Sequence, residues 1–231
     1  MRLPVFIIVR DRLGSLLSTI DSIQKQNRIM PIFTILDNGS TYKPLLDFLK
    51  TLEESGVRVI RNEGDWLAPL AELTKKVEEP FYAVTDPDIE LGSKNTIIAC
   101  IEMFGKVEAY CVGPGLRLTN LHDNPYTREQ VELQKKQFEW KPRFSFNTAS
   151  MGEIACIQAP IDTTFAIYRS GPSFQRLQRN SYRLLSPYEA KHLSWYLDPT
   201  HLPPDEEWYL AHANANIATI KKHLIEHKLL N

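Results

Sequence analysis

The stretch Phe81-Tyr-Ala-Val-Thr-Asp-Pro-Asp88 decides the predicted fold, because an apolar, β-rich run passes directly into two carboxylates. Its first five residues predict a buried strand. In extended backbone, residues i and i+2 point to the same side, so the side chains of Asp86 and Asp88 can reach one cation. Oxygen ligands favour Mg²⁺ or Mn²⁺. The alternative is a simple turn, since Asp and Pro are both turn residues.

Strands and helices alternate along the chain before this stretch. The predicted order is strand 5–9, helix 13–25, strand 31–37, helix 44–55, strand 57–60 and helix 66–77. Such alternation predicts a mostly parallel sheet with helices on both faces. We therefore predict an α/β, Rossmann-like fold, with all 231 residues in a single domain.

Polar residues directly follow each of the four predicted strands. They are Arg10 to Arg12, Asp37-Asn38, Arg61-Asn62 and Asp86 to Asp88. Ligands of parallel α/β sheets bind beyond the carboxyl ends of the strands. We therefore expect these residues to converge on one crevice, with a solvated charge pair as the alternative for Arg10 and Arg12.

The chain becomes irregular beyond residue 110. Short strands are predicted at 109–112, 144–146, 154–159 and 163–168. A polar helix is predicted over 127–139, with a capping box formed by Thr127 and Gln130. A further helix is predicted to start at Ser186-Pro187-Tyr188-Glu189, where serine, proline and glutamate occupy their preferred positions. His192 would lie on that helix.

Composition narrows the choice of partners and compartment. Lys and Arg number 27 against 28 Asp and Glu, giving a net charge of −1, so we expect no nucleic-acid partner. Three widely spaced cysteines without a CxxC pair favour neither a disulfide framework nor a zinc site, and indicate the cytoplasm. The apolar run Val5 to Val9 is too short for a signal peptide or a transmembrane segment.

The first strand, the Asp37-Asn-Gly-Ser-Thr41 end of the second strand and the DxD at Asp86 to Asp88 together resemble the GT-A glycosyltransferases, most closely family-2-like members. The resemblance covers about residues 4 to 92. It implies a GT-A fold, with residues 1–110 binding a nucleotide sugar and a smaller β region in residues 111–231 binding the acceptor. It also implies metal-dependent sugar transfer from a nucleotide sugar, with UDP-sugar expected, to the hydroxyl of a glycan or lipid-linked glycan.

Residue roles follow from the resemblance. Asp37 is expected to contact the base, while Val9, Arg10, Arg12, Arg61, Asn62, Asp86 and Pro87 complete the nucleotide-sugar site. Asp86 and Asp88 would bind Mn²⁺ or Mg²⁺. The sequence departs from the family pattern at Asn38, where many members have a second acidic residue, and in Val-Arg-Asp-Arg after the first strand.

Two later residues complete the expected site. Inverting members use a carboxylate well after the DxD as general base, and Asp162, at the start of an apolar segment, is our candidate. Asp205, Glu206 and Glu207 are reserve candidates. The segment His192-Leu-Ser-Trp-Tyr196 resembles a late histidine segment that completes the metal site, so His192 is the expected third metal ligand, with packing as the alternative and His201 as a substitute.

Three other interpretations remain open. A sugar-phosphate nucleotidyltransferase shares the fold and metal, but Leu13-Gly14-Ser15 lacks its glycine-rich phosphate loop. A non-catalytic sugar-nucleotide or carbohydrate-binding module would retain Asp37 and the late aromatics Trp195, Tyr196, Trp208 and Tyr209, which can also be core residues. The basic, amphipathic segment 221–228 can be a surface helix or can contact a membrane peripherally.

Overall fold

The structure is a computed structural model that describes residues 1–123, 125–139, 141–172, 174–176 and 180–213. The strands of this part are β1 Arg2–Val9, β2 Met30–Asn38, β3 Arg58–Asn62, β4 Phe81–Thr85, β5 Ile89–Leu91, β6 Cys111–Pro114, β7 Arg143–Thr148, β8 Gly152–Gln158, β9 Ala166–Arg169, β10 Ser181–Leu184 and β11 Ala190–His192. The helices are α1 Leu13–Gln24, α2 Lys43–Glu54, α3 Leu67–Thr74, α4 Thr96–Met103, α5 Pro125–Glu139 and α6 Pro204–His212, with a 3-10 helix at Leu193–Tyr196.

Across the described residues, nine strands form one sheet in the order β3-β2-β1-β4-β9-β6-β10-β8-β7. The first four are parallel, as the alternating pattern predicted. β9 runs antiparallel to both β4 and β6, and β8 runs antiparallel to β10 and β7. The strands of the second half thus extend the central sheet, and β5 pairs with β11 in a small separate sheet.

The two faces of β1 supply two separate cores. Leu3, Val5, Ile7 and Val9 pack with the apolar faces of α1, α2 and α4, whereas Phe6 and Ile8 pack with Leu70 of α3. Alternation of side chains along a strand causes this division. Helices therefore cover both faces of the sheet, and the mixed α/β architecture is confirmed.

The prediction of a helix that begins at Ser186 and carries His192 is wrong. Residues 190–192 instead form β11, which pairs antiparallel with β5, and residues 193–196 form the 3-10 helix. The backbone groups that a helix would satisfy internally are satisfied by this pairing, so tertiary context overrides the local capping signal. The predicted sharing of a helix face by Tyr188 and His192 is lost with it.

The capping box predicted at Thr127 and Gln130 is also wrong. α5 begins at Pro125, so Thr127 lies inside the helix, and its hydroxyl donates to the backbone carbonyl of His122. The strands predicted around 109–112, 144–146, 154–159 and 163–168 correspond to β6, β7, β8 and β9 with shifted ends.

Three further points concern the compartment predictions. Cys100, Cys111 and Cys156 are all buried free thiols. No helix in the described part of the chain is long and apolar enough to cross a membrane. The basic segment 221–228 lies outside the described residues.

Candidate active site

A polar cavity of about 550 Å³ lies beyond the carboxyl ends of β1 and β4. Its walls come from the loops after these strands, from α5, from residues 160–164 and from the β10 and β11 region. Eight of the predicted site residues line it, namely Val9, Arg10, Arg12, Asp86, Pro87, Asp88, Asp162 and His192. The fold thus brings residues from both halves of the chain into one cavity, and this cavity lies where ligands of α/β sheets bind, beyond the carboxyl ends of the strands.

Asp86 is anchored where β4 ends. Its backbone N–H donates to the carbonyl of Thr163 at 2.7 Å, and one carboxylate oxygen accepts the Thr163 hydroxyl at 2.7 Å. Burial, with added repulsion from Asp88, raises the pKa of Asp86 to about 7. A cation bound beside Asp86 would therefore lower its pKa and ionise the carboxyl group fully at neutral pH.

Asp88 is buried and surrounded by donors. Its Oδ2 accepts from the Arg12 guanidinium at 2.8 Å and from the Ser194 hydroxyl, and it lies 3.4 Å from Nδ1 of His192. Burial raises the pKa of Asp88, but the adjacent His192 and Arg12 outweigh burial and hold it well below its usual range. Because burial lowers the pKa of His192, Arg12 is the cation that keeps Asp88 ionised at neutral pH.

Arg12 has other partners than the expected phosphate or base. Its Nε donates to both carboxylate oxygens of Glu206, at 2.8 and 3.0 Å, and its Nη2 donates to Ser194 at 2.9 Å. Burial opposes the charge of Arg12, but Glu206 and Asp88 outweigh it and raise its pKa. The residue is 8% exposed, so its guanidinium binds protein carboxylates instead of solvent.

His192 is held by the small sheet rather than by a helix. Its backbone pairs with Ile89, directly after the DxD, and the N–H of Leu193 donates to the carbonyl of Asp88 at 2.7 Å. The imidazole stacks on the Trp195 ring with centroids 5.0 Å apart. Its buried Nδ1 has no hydrogen-bond partner among the described residues.

The donor set fits a hard divalent cation. Asp86 and Asp88 supply carboxylate oxygens, and burial keeps His192 in the neutral form that binds metals. Its buried Nδ1, without a hydrogen-bond partner in the described part, is a candidate ligand atom. Among the described residues, no group of three or more Asp, Glu, His or Cys side chains is arranged to hold a metal ion. Mg²⁺ and Mn²⁺ sites of this kind are completed by water and substrate phosphates.

Asp162 lies in the cavity but is already paired. The Arg176 guanidinium donates to both of its carboxylate oxygens, with Nη2 2.7 Å from Oδ2. The pair is partly exposed, at 36% for Asp162 and 48% for Arg176. A ligand group can therefore bind Asp162 only by sharing or displacing this contact.

The predicted base contact Asp37 and the predicted nucleotide-sugar residues Arg61 and Asn62 lie at the ends of β2 and β3. Asp37 is buried, and in the sheet it pairs with Val9 of β1 and with Arg61 of β3. Its Oδ1 accepts a hydrogen bond from the Ser40 N–H at 3.0 Å. Arg61 instead pairs with Glu53 on the surface at 2.5 Å. Neither Asp37, Arg61 nor Asn62 is among the described residues that line the main cavity.

Two asparagines at these strand ends present polar atoms that the protein does not satisfy. Asn38 Oδ1 and Asn62 Nδ2 are buried and have no hydrogen-bond partner within the described ranges. Asn38 lines the cavity. The position of Asn38 after the second strand predicted that it would face the crevice, but no binding role was predicted for it, because it departs from the family pattern.

α6 closes the site on the side of α1. Asp205 accepts the Gly14 N–H at 2.7 Å, and Glu206 accepts the Ser15 hydroxyl at 2.9 Å in addition to Arg12. These reserve candidates for the general base are thus engaged with the start of α1. Tyr209 lines the cavity, with its ring 5.2 Å from the Arg12 guanidinium carbon.

Other expected alternatives lie elsewhere. His201 is 84% exposed and pairs with Asp198, so it is not placed near Asp88. Trp208 is partly exposed, and its indole N–H donates to the Thr41 hydroxyl at 3.0 Å. Trp195 is buried in a small cluster with Leu116 and Tyr126, yet it also borders the cavity.

Two arginines in the cavity wall were missed by the sequence analysis. Arg176 lies in an irregular segment, and Arg183 lies on β10 in the ordinary run Ser181-Tyr-Arg-Leu184. A charge at an inward position of a short strand is the only sequence signal for Arg183, and it cannot be recognised before the strand's inner face is known.

No protein-family model matches the chain, and no curated protein matches it in sequence. Solved structures do match it. The crystal structure of S. aureus TarS 1–349 is 14% identical with a TM-score of 0.52, over 84% of this chain and 61% of that one. The chain has a GT-A fold. The mannosyltransferase PcManGT from Pyrobaculum calidifontis, in complex with GDP-Man and Mn²⁺, is 9% identical with a TM-score of 0.51, over 98% of this chain and 62% of that one.

GalNAc-T7, solved with UDP, GalNAc and Mn²⁺, is 12% identical with a TM-score of 0.52, over 99% of this GT-A chain and 54% of that one. At such identities the similarity establishes the fold alone, and it confirms the predicted GT-A architecture. The chain spans between half and two thirds of the length of these three structures.

Proposed function

We propose that this GT-A chain is a glycosyltransferase that moves a sugar from a nucleotide-sugar donor to an acceptor hydroxyl. One observation carries the proposal, namely that Asp86 and Asp88 end the central strand β4 inside a polar cavity bordered by the loop after β1. The matched structures of PcManGT and GalNAc-T7 are complexes with GDP-Man and with UDP, respectively, both with Mn²⁺, which supports the same kind of donor here.

The nucleotide would lie along the β1-β2-β3 edge, in the half formed by residues 1–110. The unsatisfied Asn38 Oδ1 and Asn62 Nδ2 offer one acceptor and one donor to a base. A buried polar atom without a partner is costly, so a ligand that pairs with it gains affinity. We expect Asp37 to act beside them, with Val9 and Arg10 against the nucleotide, and uracil as the base.

A Mn²⁺ or Mg²⁺ ion would be held by Asp86, Asp88 and His192. When bound, such an ion stabilises the negative charge of the departing diphosphate as a Lewis acid. We assign Arg12 to Asp88 and Glu206 rather than to the phosphates, because its guanidinium binds both carboxylates and keeps Asp88 ionised. Pro87 donates no N–H, but its carbonyl accepts the Thr19 hydroxyl at 2.6 Å and so fixes the DxD turn on α1.

Asp162 remains our candidate base for an inverting reaction. Among the described residues that line the cavity, the carboxylates are Asp86, Asp88 and Asp162, and the first two belong to the DxD. Asp162 would accept the proton of the acceptor hydroxyl as it attacks the anomeric carbon. Arg176 would release one Asp162 oxygen as the acceptor binds. The acceptor, a glycan or lipid-linked glycan, would enter through the half that follows residue 110.

Mn²⁺-dependent hydrolysis of nucleotide sugars tests the proposal. UDP-glucose, UDP-N-acetylglucosamine and GDP-mannose are incubated with the protein, with and without Mn²⁺, and released nucleotide is measured. The proposal predicts Mn²⁺-dependent release from at least one donor. Binding of donors without any release would instead support a sugar-nucleotide-binding module. Formation of nucleotide sugar from nucleoside triphosphate and sugar phosphate would support a nucleotidyltransferase.

Two structural observations favour the transferase. Only three residues separate the end of β1 from the start of α1, and Gly14 lies inside α1, so no glycine-rich phosphate loop follows β1 in the described chain. A binding module would need no carboxylate in the cavity besides the DxD, yet Asp162 lines it next to Thr163, which hydrogen-bonds to Asp86. The three buried free thiols support a reducing compartment such as the cytoplasm.

A further inference from the structure

Arg183 is a buried arginine in the cavity wall whose charge is not neutralised. The residue is 4% exposed and projects from β10. Its Nε donates to the carbonyl of Pro160 at 3.1 Å, and its Nη1 donates to the carbonyl of Pro114 at 3.3 Å. Among the described residues, no carboxylate lies within 4 Å of its nitrogens, and its Nη2 donates no hydrogen bond.

The neighbouring charges do not remove this imbalance. Asp162 attracts Arg183 electrostatically, but both oxygens of Asp162 accept from Arg176. Burial lowers the pKa of Arg183 to about 10, so the guanidinium is still protonated at neutral pH. Two arginines thus share one carboxylate on this side of the cavity, and a buried cation without a counter-charge is costly.

The fixed guanidinium suits a particular class of ligand. Its two bonded nitrogens lock the planar fork, and a guanidinium fork matches phosphate or carboxylate oxygens. We infer that Arg183 binds an oxyanion, a phosphate or carboxylate group, carried by the acceptor or by the transferred sugar. The inference rests on the proposed function and specifies the substrate class of the same site.

The strand that carries Arg183 is well separated in the sheet from the strands proposed to bind the nucleotide. In the sheet order, β10 is three strands beyond β4 and four beyond β1. At about 4.8 Å per strand, roughly 14 Å separates the backbones of β10 and β4. The backbone of β10 therefore lies on the side of the sheet that is built from residues after 110, where the proposed function places the acceptor. This strand order favours the acceptor or the transferred sugar as the carrier of the oxyanion, and the affinity for UDP separates them from the donor's diphosphate.

Calorimetric titration of matched charged and neutral probes tests the inference. Glycerol 3-phosphate against glycerol represents the acceptor, and UDP-glucuronic acid against UDP-glucose represents the transferred sugar. Each is titrated into wild type, Arg183→Gln and Arg183→Lys, and UDP with Mn²⁺ is titrated into all three. Arg169→Gln is the control, because Arg169 also donates to a backbone carbonyl, that of Phe104, but lies on an exposed part of β9 outside this cavity.

We expect wild type and Arg169→Gln to prefer the charged member of at least one pair by about tenfold, and Arg183→Gln to lose that preference. The pair that shows the preference identifies the source of the oxyanion. Arg183→Lys, which keeps the charge but loses the fork, should fall between them. If Arg183→Gln does not fold, the preference of Arg183→Lys for the charged probes tests the inference instead.

Three results would overturn the inference. They are equal binding of charged and neutral probes to wild type, an unchanged preference in Arg183→Gln, and a loss of about tenfold or more in UDP affinity in Arg183→Gln, which would place Arg183 on the diphosphate. If wild type bound no nucleotide with Mn²⁺, the proposed function would fail. The glycerol 3-phosphate titration, which needs no nucleotide, would still decide the role of Arg183.

Discussion

At the scale of single residues, Asp88 combines a structural and a chemical task. It is buried and accepts hydrogen bonds from Arg12 and Ser194, and together with Asp86 it also lines the cavity. A carboxylate in this position loses more than a metal ligand when it is changed, because Arg12 then keeps only Glu206 as its counter-charge. Variants that preserve its shape are therefore the informative ones.

Asp88→Asn keeps the shape of the side chain but removes its charge. We expect Mn²⁺-dependent release of nucleotide to fall by about 10² or more, because charge stabilisation at the leaving group is lost. Stability should fall by about 1–3 kcal/mol, since a buried hydrogen-bonded charge is removed. Asp47→Asn, at an exposed carboxylate on α2, is the control for both measurements. Full activity of Asp88→Asn would exclude the metal-site assignment.

Asp162→Asn tests the general base separately from its ion pair. We expect kcat to fall by about 10²–10⁴ while donor affinity is retained, because the amide cannot accept the proton. Arg176→Gln breaks the same ion pair but leaves the carboxylate, so it should retain kcat within about tenfold. Equal losses in the two variants would show that Asp162 acts only by positioning Arg176.

At the scale of elements, α6 and β11 build the site although neither carries the DxD. α6 supplies Asp205 to the Gly14 N–H of α1, which has no side-chain cap of its own, and supplies Glu206 to Arg12. β11 brings His192 against Asp88 by pairing with β5. The site is therefore assembled from elements more than 100 residues apart in the chain.

Glu206→Gln tests whether α6 affects the DxD through Arg12, which binds both Glu206 and Asp88. We expect a loss of about 1–3 kcal/mol in stability, because the glutamine cannot balance the buried Arg12 charge. Mn²⁺ affinity should also change, since Arg12 then pairs with Asp88 alone. Chemical denaturation and Mn²⁺ titration measure the two effects. Glu207→Gln, at the exposed neighbouring position, should leave both unchanged.

Gly92 permits the close approach of β5 and the chain leading to β11. Its N–H donates to the carbonyl of Glu189 at 3.0 Å, and an added Cβ would lie 2.3 Å from that oxygen. Gly92→Ala should therefore destabilise the protein by about 1–3 kcal/mol through overpacking. Gly105→Ala is the control, because its Cβ would lie 3.4 Å from the nearest oxygen. Equal melting temperatures for the two variants would contradict the prediction.

At the scale of the whole molecule, the cavity joins the parallel half of the sheet to the half that contains the antiparallel strands β8 and β9. A ligand that spans it therefore contacts both halves of the fold. Binding to the native state alone raises the free energy of unfolding in proportion to the logarithm of ligand concentration.

UDP with Mn²⁺ should stabilise the protein against heat. At 100 times its dissociation constant the ligand adds about 2.7 kcal/mol. For a chain of this size that corresponds to a rise in Tm of roughly 5–11 °C. Differential scanning fluorimetry with UDP, Mn²⁺ and both together measures it. The nucleotide-binding assignment would be contradicted if UDP with Mn²⁺ gave no greater shift than Mn²⁺ alone.

The sequence by itself determined the α/β fold and its strand ends. β1, β2 and β4 are long apolar runs followed by polar turns, and this pattern is local, so periodicity and turn chemistry predict it. The DxD belongs to the same class of signal, since two carboxylates at positions i and i+2 directly after a strand are visible in the sequence. The GT-A resemblance followed from these residues, and the fold confirms it.

Only the tertiary structure decided how the later residues are arranged. β5, β10 and β11 are three or four residues long and exist because a distant strand pairs with each, so local propensity cannot specify them. The helix predicted at Ser186 failed for this reason, and His192 nevertheless reached Asp88 by another route. The pKa of Arg12 depends on the carboxylates that surround it and the pKa of Arg183 depends on its burial, and the tertiary structure, rather than neighbourhood in the sequence, sets both.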